Sequence, residues 1–173
     1  MKDVLVTTTS QTISLKLADN SGHTIMKNLL SLYLHDLSKY MDDLELNEQG
    51  LYEYDGLYLY FEKNDLLPYF IMLDDKVIGF MLLSLPPFAP CDADFYVNEI
   101  FILKKYRRHG YGSQAVHHIF KRYKGNYFIF QSQKNKEAID FWKKTLNQAD
   151  IQYEEMIKDI DGERCLVQIF DIS

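Results

Sequence analysis

The sequence predicts an α/β fold of the α+β type: a mixed, mostly antiparallel central sheet, splayed at one parallel strand pair and flanked by about four helices. Three observations predict it. The apolar run Tyr96 to Leu103 passes through a basic segment (Lys104, Lys105, Arg107, Arg108) and two glycines, Gly110 and Gly112, into an amphipathic run, and a short apolar run, Tyr127–Gln131, follows. Strand, helix and strand joined in this way place the two strands parallel, through a right-handed crossover. Asp74-Asp75-Lys76 and Asp161-Gly162 each sit between two apolar runs, the signature of antiparallel hairpins. The resulting order, β, α, α, β, β, β, α, β, α, β, β, takes in nearly the whole chain, without internal repeats or low-complexity tracts.

Each element has its own signal. Gln11–Leu17 alternates polar and apolar side chains, with Ile13, Leu15 and Leu17 on one face, and reads as an edge strand. Asn20–Ser21 caps a helix running to about Met41. Its apolar positions are set so widely that it is buried on much of its girth, with His35, Asp36 and Tyr40 toward its C-terminal end. Between Asp42 and Asp65 the pattern is less regular. Tyr52, Tyr54, Tyr58, Tyr60 and Phe61 crowd together there, and a short helix is predicted over about Leu57–Glu62.

Pro68–Leu73 and Val77–Leu85 make the first hairpin, after which Pro86, Pro87 and Pro90 force a loop. Ala115, Val116, Ile119, Phe120 and Tyr123 recur at helical spacing, and Gly125 is expected to close that helix as a left-handed cap. Asn135–Asn147 is a further helix, with Ala138, Phe141, Trp142, Thr145 and Leu146 on one face. Ile151–Ile160 and Arg164–Ile172 form the last hairpin.

Composition bounds the class. At 173 residues and 47% apolar, residues 1–173 are expected to form one domain that folds without staples. Cys91 and Cys165 make neither a disulfide framework nor a metal pattern, which fits a reducing compartment. The opening MKDVLVTTTSQT has no apolar signal core, and no apolar run reaches the roughly 20 residues of a membrane span. The expectation is a cytoplasmic protein without metal or membrane partner.

The net charge of −6 hides an asymmetry. Residues 104–124 carry seven Lys/Arg and no acid, while residues 36–65 carry nine Asp/Glu and two Lys. One basic turn on an acidic chain suits a phosphorylated cofactor better than a nucleic-acid track, which spreads basic charge over a face. The acidic half reads either as a solvated surface or as a field that steers a cationic acceptor, an amine.

The glycine turn carries the chemistry. A helix starting near Tyr111–Gly112 leaves unpaired N–H groups pointing into the turn, with the positive end of its dipole behind them, a geometry that binds phosphate. Arg107, Arg108 and His109 add side-chain donors. The P-loop pattern is absent. Gly110-Tyr111-Gly112-Ser113-Gln114-Ala115 fits the dinucleotide pattern GxGxxG/A, but Lys104–His109 separate strand from glycine, and Gln131 and Ser132 stand where an acidic ribose partner is required.

Arg107-Arg108-His109-Gly110-Tyr111-Gly112 also fits Q/R-x-x-G-x-G/A, behind the strand Glu99-Ile100-Phe101-Ile102 and ahead of an amphipathic helix. In this the chain resembles the GNAT superfamily of acetyl-coenzyme A-dependent N-acetyltransferases, and the element order over nearly the whole chain is similar to that family's.

The resemblance implies a function: transfer of an acetyl group from acetyl-CoA to an amine of a small-molecule or peptide acceptor. It implies that backbone groups of Ile100, Phe101 and Ile102 pair with the pantetheine arm like an added strand. Backbone N–H groups from Arg108 to Ser113, Tyr111 and Gly112 among them, would hold the pyrophosphate. Asn135 matches an Asn that contacts coenzyme A in many members; on its own terms it reads equally as an N-cap, and both roles are compatible.

The family's proton-transfer residues are missing. Trp142 stands where many members place a Tyr acid, and Phe130 where some place a Glu base. Three readings remain: another residue substitutes, water suffices, or the chain is a CoA-binding regulatory module without fast catalysis. Glu99 is the candidate base or amine-binding carboxylate, because it lies on the strand that would meet the thioester; the alternative is a carboxylate aimed at solvent or paired with a base. His117 and His118 do not make a metal pair, and His35 and Tyr40 are candidates for an acceptor pocket. Oligomeric state stays open, a homodimer included.

Overall fold

A computed structural model describes residues 11–173; the leading MKDVLVTTTS, read above as lacking an apolar signal core, lies outside the described residues. The strands are β1 (Ile13–Leu17), β2 (Leu66–Leu73), β3 (Lys76–Ser84), β4 (Phe95–Ile102), β5 (Gly125–Ser132), β6 (Tyr153–Ile160) and β7 (Glu163–Ile172). The helices are α1 (His23–Leu37), α2 (Leu59–Glu62), α3 (Tyr111–Arg122) and α4 (Lys136–Gln148). All seven strands join one sheet in the order β1-β2-β3-β4-β5-β7-β6.

Alternation along the strands splits the apolar side chains between two faces. One face packs against α3 and α4, through Ile71, Met81, Val97, Ile119, Ile129 and Trp142 among others. The other packs against α1 and α2, through Met26, Leu30, Tyr60, Phe80, Leu82 and Phe101.

The site is positioned by two irregularities. The first is the splay. β4 and β5 are the parallel pair, and they register only at Phe95↔Tyr127 and Tyr96↔Phe128. Beyond Tyr96 the two strands part, so β4 presents an unpaired backbone edge on that side. The second is a bulge. Leu82 pairs with Glu99 but Leu83 pairs with Val97, so Asn98 is an extra residue in β4. The bulge changes the phase of the strand. Val97 packs on the α3–α4 face, whereas Phe101, four residues on, packs on the α1–α2 face. Glu99, in step with Phe101, therefore turns toward α1.

The element boundaries depart from expectation in places. α1 ends at Leu37 rather than near Met41, where Ser38 caps it and turns its hydroxyl back to the His35 carbonyl at 2.7 Å. At its other end α1 starts from Gly22 without a side-chain cap; Asp19 instead caps the 3-10 turn Asn20–Gly22 that leads into it, accepting from the Ser21 N–H. Gly125 is not a helix cap. α3 closes on Tyr123 in extended geometry. Gly125, at φ +142°, instead opens β5 where an added Cβ would sit 2.5 Å from the Asp94 carboxylate. Asp161 and Gly162 turn the last hairpin with φ of 50° and 83°, as their residue types predict. No helix among the described residues is long and apolar enough to cross a membrane.

Candidate active site

Where β4 and β5 part, a cleft of about 590 Å³ opens. Its walls are the C-terminal part of α1 (Tyr33, Asp36) with Tyr40 just beyond it, the end of β4 (Ile100, Phe101, Ile102), the segment 104–113, and one face of α4. Most of the residues singled out from the sequence meet here. His109, which lies in the loop between lining residues, and Glu99, which lies behind Tyr33, are not on the cleft wall.

The loop is shaped for an anion. Arg108 and Gly110 both adopt left-handed backbone, at φ 67° and 77°. The first helical hydrogen bond runs from the Gln114 N–H to the Gly110 carbonyl at 3.1 Å. The N–H groups of Arg108 to Ser113 have no acceptor among the described residues, and successive N–H groups in such turns form an anion-binding concavity. At Gly110 an added Cβ would meet nothing nearer than the Gln114 side chain, 3.9 Å away. At Gly112 it would press to 3.0 Å from the Phe141 ring, so this glycine lets α3 lie close on α4. Ser113 ties the same two helices by a 2.7 Å hydrogen bond to the buried Thr145 hydroxyl.

The basic side chains divide into two kinds. Arg107 is committed to the protein: its Nε donates to the Ile102 carbonyl at 2.7 Å, its guanidinium pairs with Asp36 on α1, and it lies over the Phe101 ring. Arg108 and Lys104 face the cleft and make no ion pair with described residues. His109 donates from Nδ1 to the Arg107 carbonyl at 2.7 Å and stacks on Tyr111, which fixes the turn. Asn135 is the N-cap of α4, its side chain accepting from the Ala138 N–H at 3.1 Å, and it also borders the cleft.

Glu99 is neither aimed at solvent nor paired with a cation. Tyr33 of α1 donates to its Oε2, and Tyr54 donates to Oε1 at 3.2 Å. Burial pushes its carboxyl up to about 7; the two phenol hydrogen bonds favour the ionised form and oppose that rise only in part. Burial, with the nearby carboxylate adding to it, pushes the phenols of Tyr33 and Tyr54 upward, so both stay protonated donors. Tyr33 also lines the cleft, so the carboxylate and the cleft share one side chain. Sequence reasoning missed Tyr33 as a site residue. Its place on the helix was visible, but its reach to β4 depends on a bulge that no residue type announces.

His35 packs beside the Tyr52 ring, 6.1 Å between centroids, and is not on the cleft wall; Tyr40 is. Among the described residues no cluster of three metal-ligating side chains exists. Trp142 is 4% exposed, packed edge-on against Phe141, and its indole has only an N–H to offer. Trp142→Phe is expected to lower stability modestly and to leave turnover within about tenfold, the factor that corresponds to roughly 1.4 kcal/mol of barrier. Steady-state rates beside a thermal melt check this. A rate loss well beyond tenfold with an unchanged melt would make the indole a participant.

Comparisons with known proteins bear on this geometry. The family model for the acetyltransferase (GNAT) family matches residues 27–147. No curated protein sequence matches significantly. Among solved structures, an acetyltransferase from Thermus thermophilus superposes with a TM-score of 0.65 at 14% identity, covering 91% of this chain and 96% of that one. Arabidopsis thaliana NAA60, solved in complex with acetyl-CoA, superposes with a TM-score of 0.59 at 9% identity, covering 93% and 100%. The CoA-dependent acyl-homoserine lactone synthase BjaI, solved with MTA, superposes with a TM-score of 0.62 at 12% identity, covering 94% and 84%. At these identities the likeness is one of fold.

Proposed function

This chain belongs to the GNAT acetyltransferase family, and from that premise we propose that it transfers an acetyl group from acetyl-CoA to an amine of a small-molecule or peptide acceptor. The observation that carries the reading is the juxtaposition of two features. One is a cleft that ends in a ring of unpaired N–H groups. The other is a half-buried carboxylate, titrating near neutral pH, one side chain away from that cleft.

The residues present fit acetyl-CoA. The free N–H groups of Arg108 to Ser113, with Arg108 and Lys104, would hold the pyrophosphate, and the space at Gly110 lets phosphate oxygens approach the backbone. Arg107 serves that site by fixing the loop rather than by lending its guanidinium. The unpaired edge of β4 at Ile100 and Phe101 would take the pantetheine arm as an added strand; the Ile102 carbonyl is already occupied by Arg107. When bound, acetyl-CoA supplies an activated acyl group. Orientation in the splay supplies much of the rate, since holding two reactants in place removes entropy from the barrier.

Glu99 would take up the proton that an ammonium must lose before its nitrogen can attack, by way of Tyr33, whose hydroxyl would pass its own proton to the carboxylate as it accepts the ammonium's. A base that titrates near the working pH does this best. The acidic residues of 36–65 favour a cationic acceptor. We place the protein in the cytoplasm, consistent with two free cysteines, Cys91 and Cys165.

A screen of thiol release across an amine panel, beside calorimetry with acetyl-CoA, tests the reading. Acetyl-CoA binding with release that depends on one class of amine is the expected result. A second reading, a CoA-binding regulatory module, is favoured by the buried Trp142 at the family's tyrosine position. Binding without acceptor-dependent release across the panel would select it.

A further inference from the structure

The bulge in β4 does more than turn Glu99 toward α1: its extra residue, Asn98, sits at the centre of a chain of hydrogen bonds. Asn98, the extra residue of the bulge, places Nδ2 at 3.0 Å from the Tyr54 hydroxyl and 2.9 Å from the Tyr60 hydroxyl. An amide nitrogen only donates, so both phenols accept from it, and each has a single proton left to give. Tyr54 gives its proton to Glu99 Oε1 at 3.2 Å. Tyr60 shares a 3.1 Å hydrogen bond with the buried Ser84 hydroxyl of β3. With the amide turned over, its carbonyl would collect both phenol protons, and Glu99 would keep only Tyr33.

We propose that Asn98 is a positioning residue for Glu99: by donating to Tyr54 and Tyr60 together, it fixes the direction in which Tyr54 presents its proton to the carboxylate. The proposal takes its functional meaning from the reading of Glu99 as the base. The groups that face this carboxylate are all phenols: Tyr33 from α1, Tyr54 from the segment before α2, Tyr60 from α2 and Tyr96 from β4 itself. Among the described residues no Lys, Arg or His hydrogen-bonds or ion-pairs with it. Its ionised form is therefore held by donated hydrogen bonds alone, and removing one raises the pH at which it ionises. The bulge is what makes the relay feasible. Without an extra residue, Asn98 and Glu99 would point to opposite faces of the sheet, and Asn98 would not reach Tyr54 and Tyr60.

The test is a carbon-13 titration of the Glu99 carboxyl in the full chain without cofactor, with the resonance assigned by its loss in Glu99→Gln. Asn98→Ala and Tyr54→Phe are each expected to raise the midpoint by about one pH unit, the scale of one hydrogen bond to a charged group. The double variant is expected to shift no further than either single change, because both act through the same Tyr54–Glu99 hydrogen bond. In the parent, the Asn98 side-chain NH2 resonances are expected to titrate with the Glu99 midpoint and to lose that response in Tyr54→Phe; this reading needs no substitution in the bulge. Additive shifts in the double variant, an unmoved midpoint in Asn98→Ala, or an amide blind to the titration would each overturn the proposal. The pH profile of kcat/KM then separates the two ideas. If its acid limb follows the carbon-13 midpoints, both stand. If the midpoints move and the limb does not, the relay stands and Glu99 is not the base.

Discussion

Glu99→Gln is expected to abolish most turnover, by about a hundredfold to ten-thousandfold in kcat, the range that a positioned general base contributes. Acetyl-CoA binding, measured by calorimetry, is expected to stay at the parent value, because Glu99 lies behind Tyr33 and away from the loop that would hold the phosphates. Gln keeps the shape and still accepts from one tyrosine, so the loss reads chemistry rather than collapse.

The pH dependence follows from burial. With the carboxyl at about 7, the parent rate is expected to fall as pH drops below about 7, where the base becomes protonated. Stability carries the same signature with its own sign. A carboxyl raised from its ordinary 4.5 stabilises the fold below about 4.5, and that contribution is lost as pH rises through about 7. Glu99→Gln is therefore expected to be the more stable protein above pH 7, and melts at two pH values check it. If Glu99→Gln kept full turnover with the amine that releases thiol, the chemistry would have to sit elsewhere.

The two halves of the site were unequally legible in the sequence. The glycine loop was readable because its requirements are local. Glycine at a left-handed position, a strand before it and an amphipathic run after it are all short-range patterns, and the structure places Gly110 at φ 77° at the head of α3. Even there, Arg107 looked like a phosphate donor and proves to be a bolt between β4 and α1, because its partner Asp36 is 71 residues away.

The carboxylate environment was not readable for the same reason. Tyr33 and Glu99 are 66 residues apart, and Tyr54 and Glu99 are 45 apart. Residue type suggested Glu99. Only the bulge at Asn98 decides which face it takes, and because helices cover both faces of the sheet, the phase change is hidden in the apolar pattern of β4. The tyrosine cluster at 52–60 shows the same ambiguity. Tyr60 is buried in the α1–α2 layer, Tyr54 meets the carboxylate, and Tyr58 is 58% exposed, although all three carry the same side chain. Gly125 was misassigned because a glycine after a helix reads as a cap, whereas its local need is room for Asp94.

Substitution of Gly110 is expected to remove acetyl-CoA binding with little loss of fold, and two variants separate the causes. At φ 77° a β-branched side chain is strained, by about 1–3 kcal/mol. Gly110→Val is therefore expected to lower the melting temperature by several degrees, on the scale of about 2–4 °C per kcal/mol for a chain of this size. Asn tolerates left-handed backbone far better, so Gly110→Asn is expected to melt close to the parent. Among the described residues nothing crowds a Cβ there, the nearest atom being 3.9 Å away, so neither variant is excluded sterically from the free fold. Both nonetheless fill the space over the free N–H groups of 108–113. Losing two charge-assisted hydrogen bonds from a phosphate group costs roughly 3 kcal/mol or more. The Kd for acetyl-CoA should accordingly weaken by at least about a hundredfold in both variants. Calorimetry with acetyl-CoA beside a thermal melt reads the two effects apart. If Gly110→Asn binds acetyl-CoA as tightly as the parent does, the pyrophosphate does not lie over Gly110–Gly112, and the cofactor assignment of this loop falls with it.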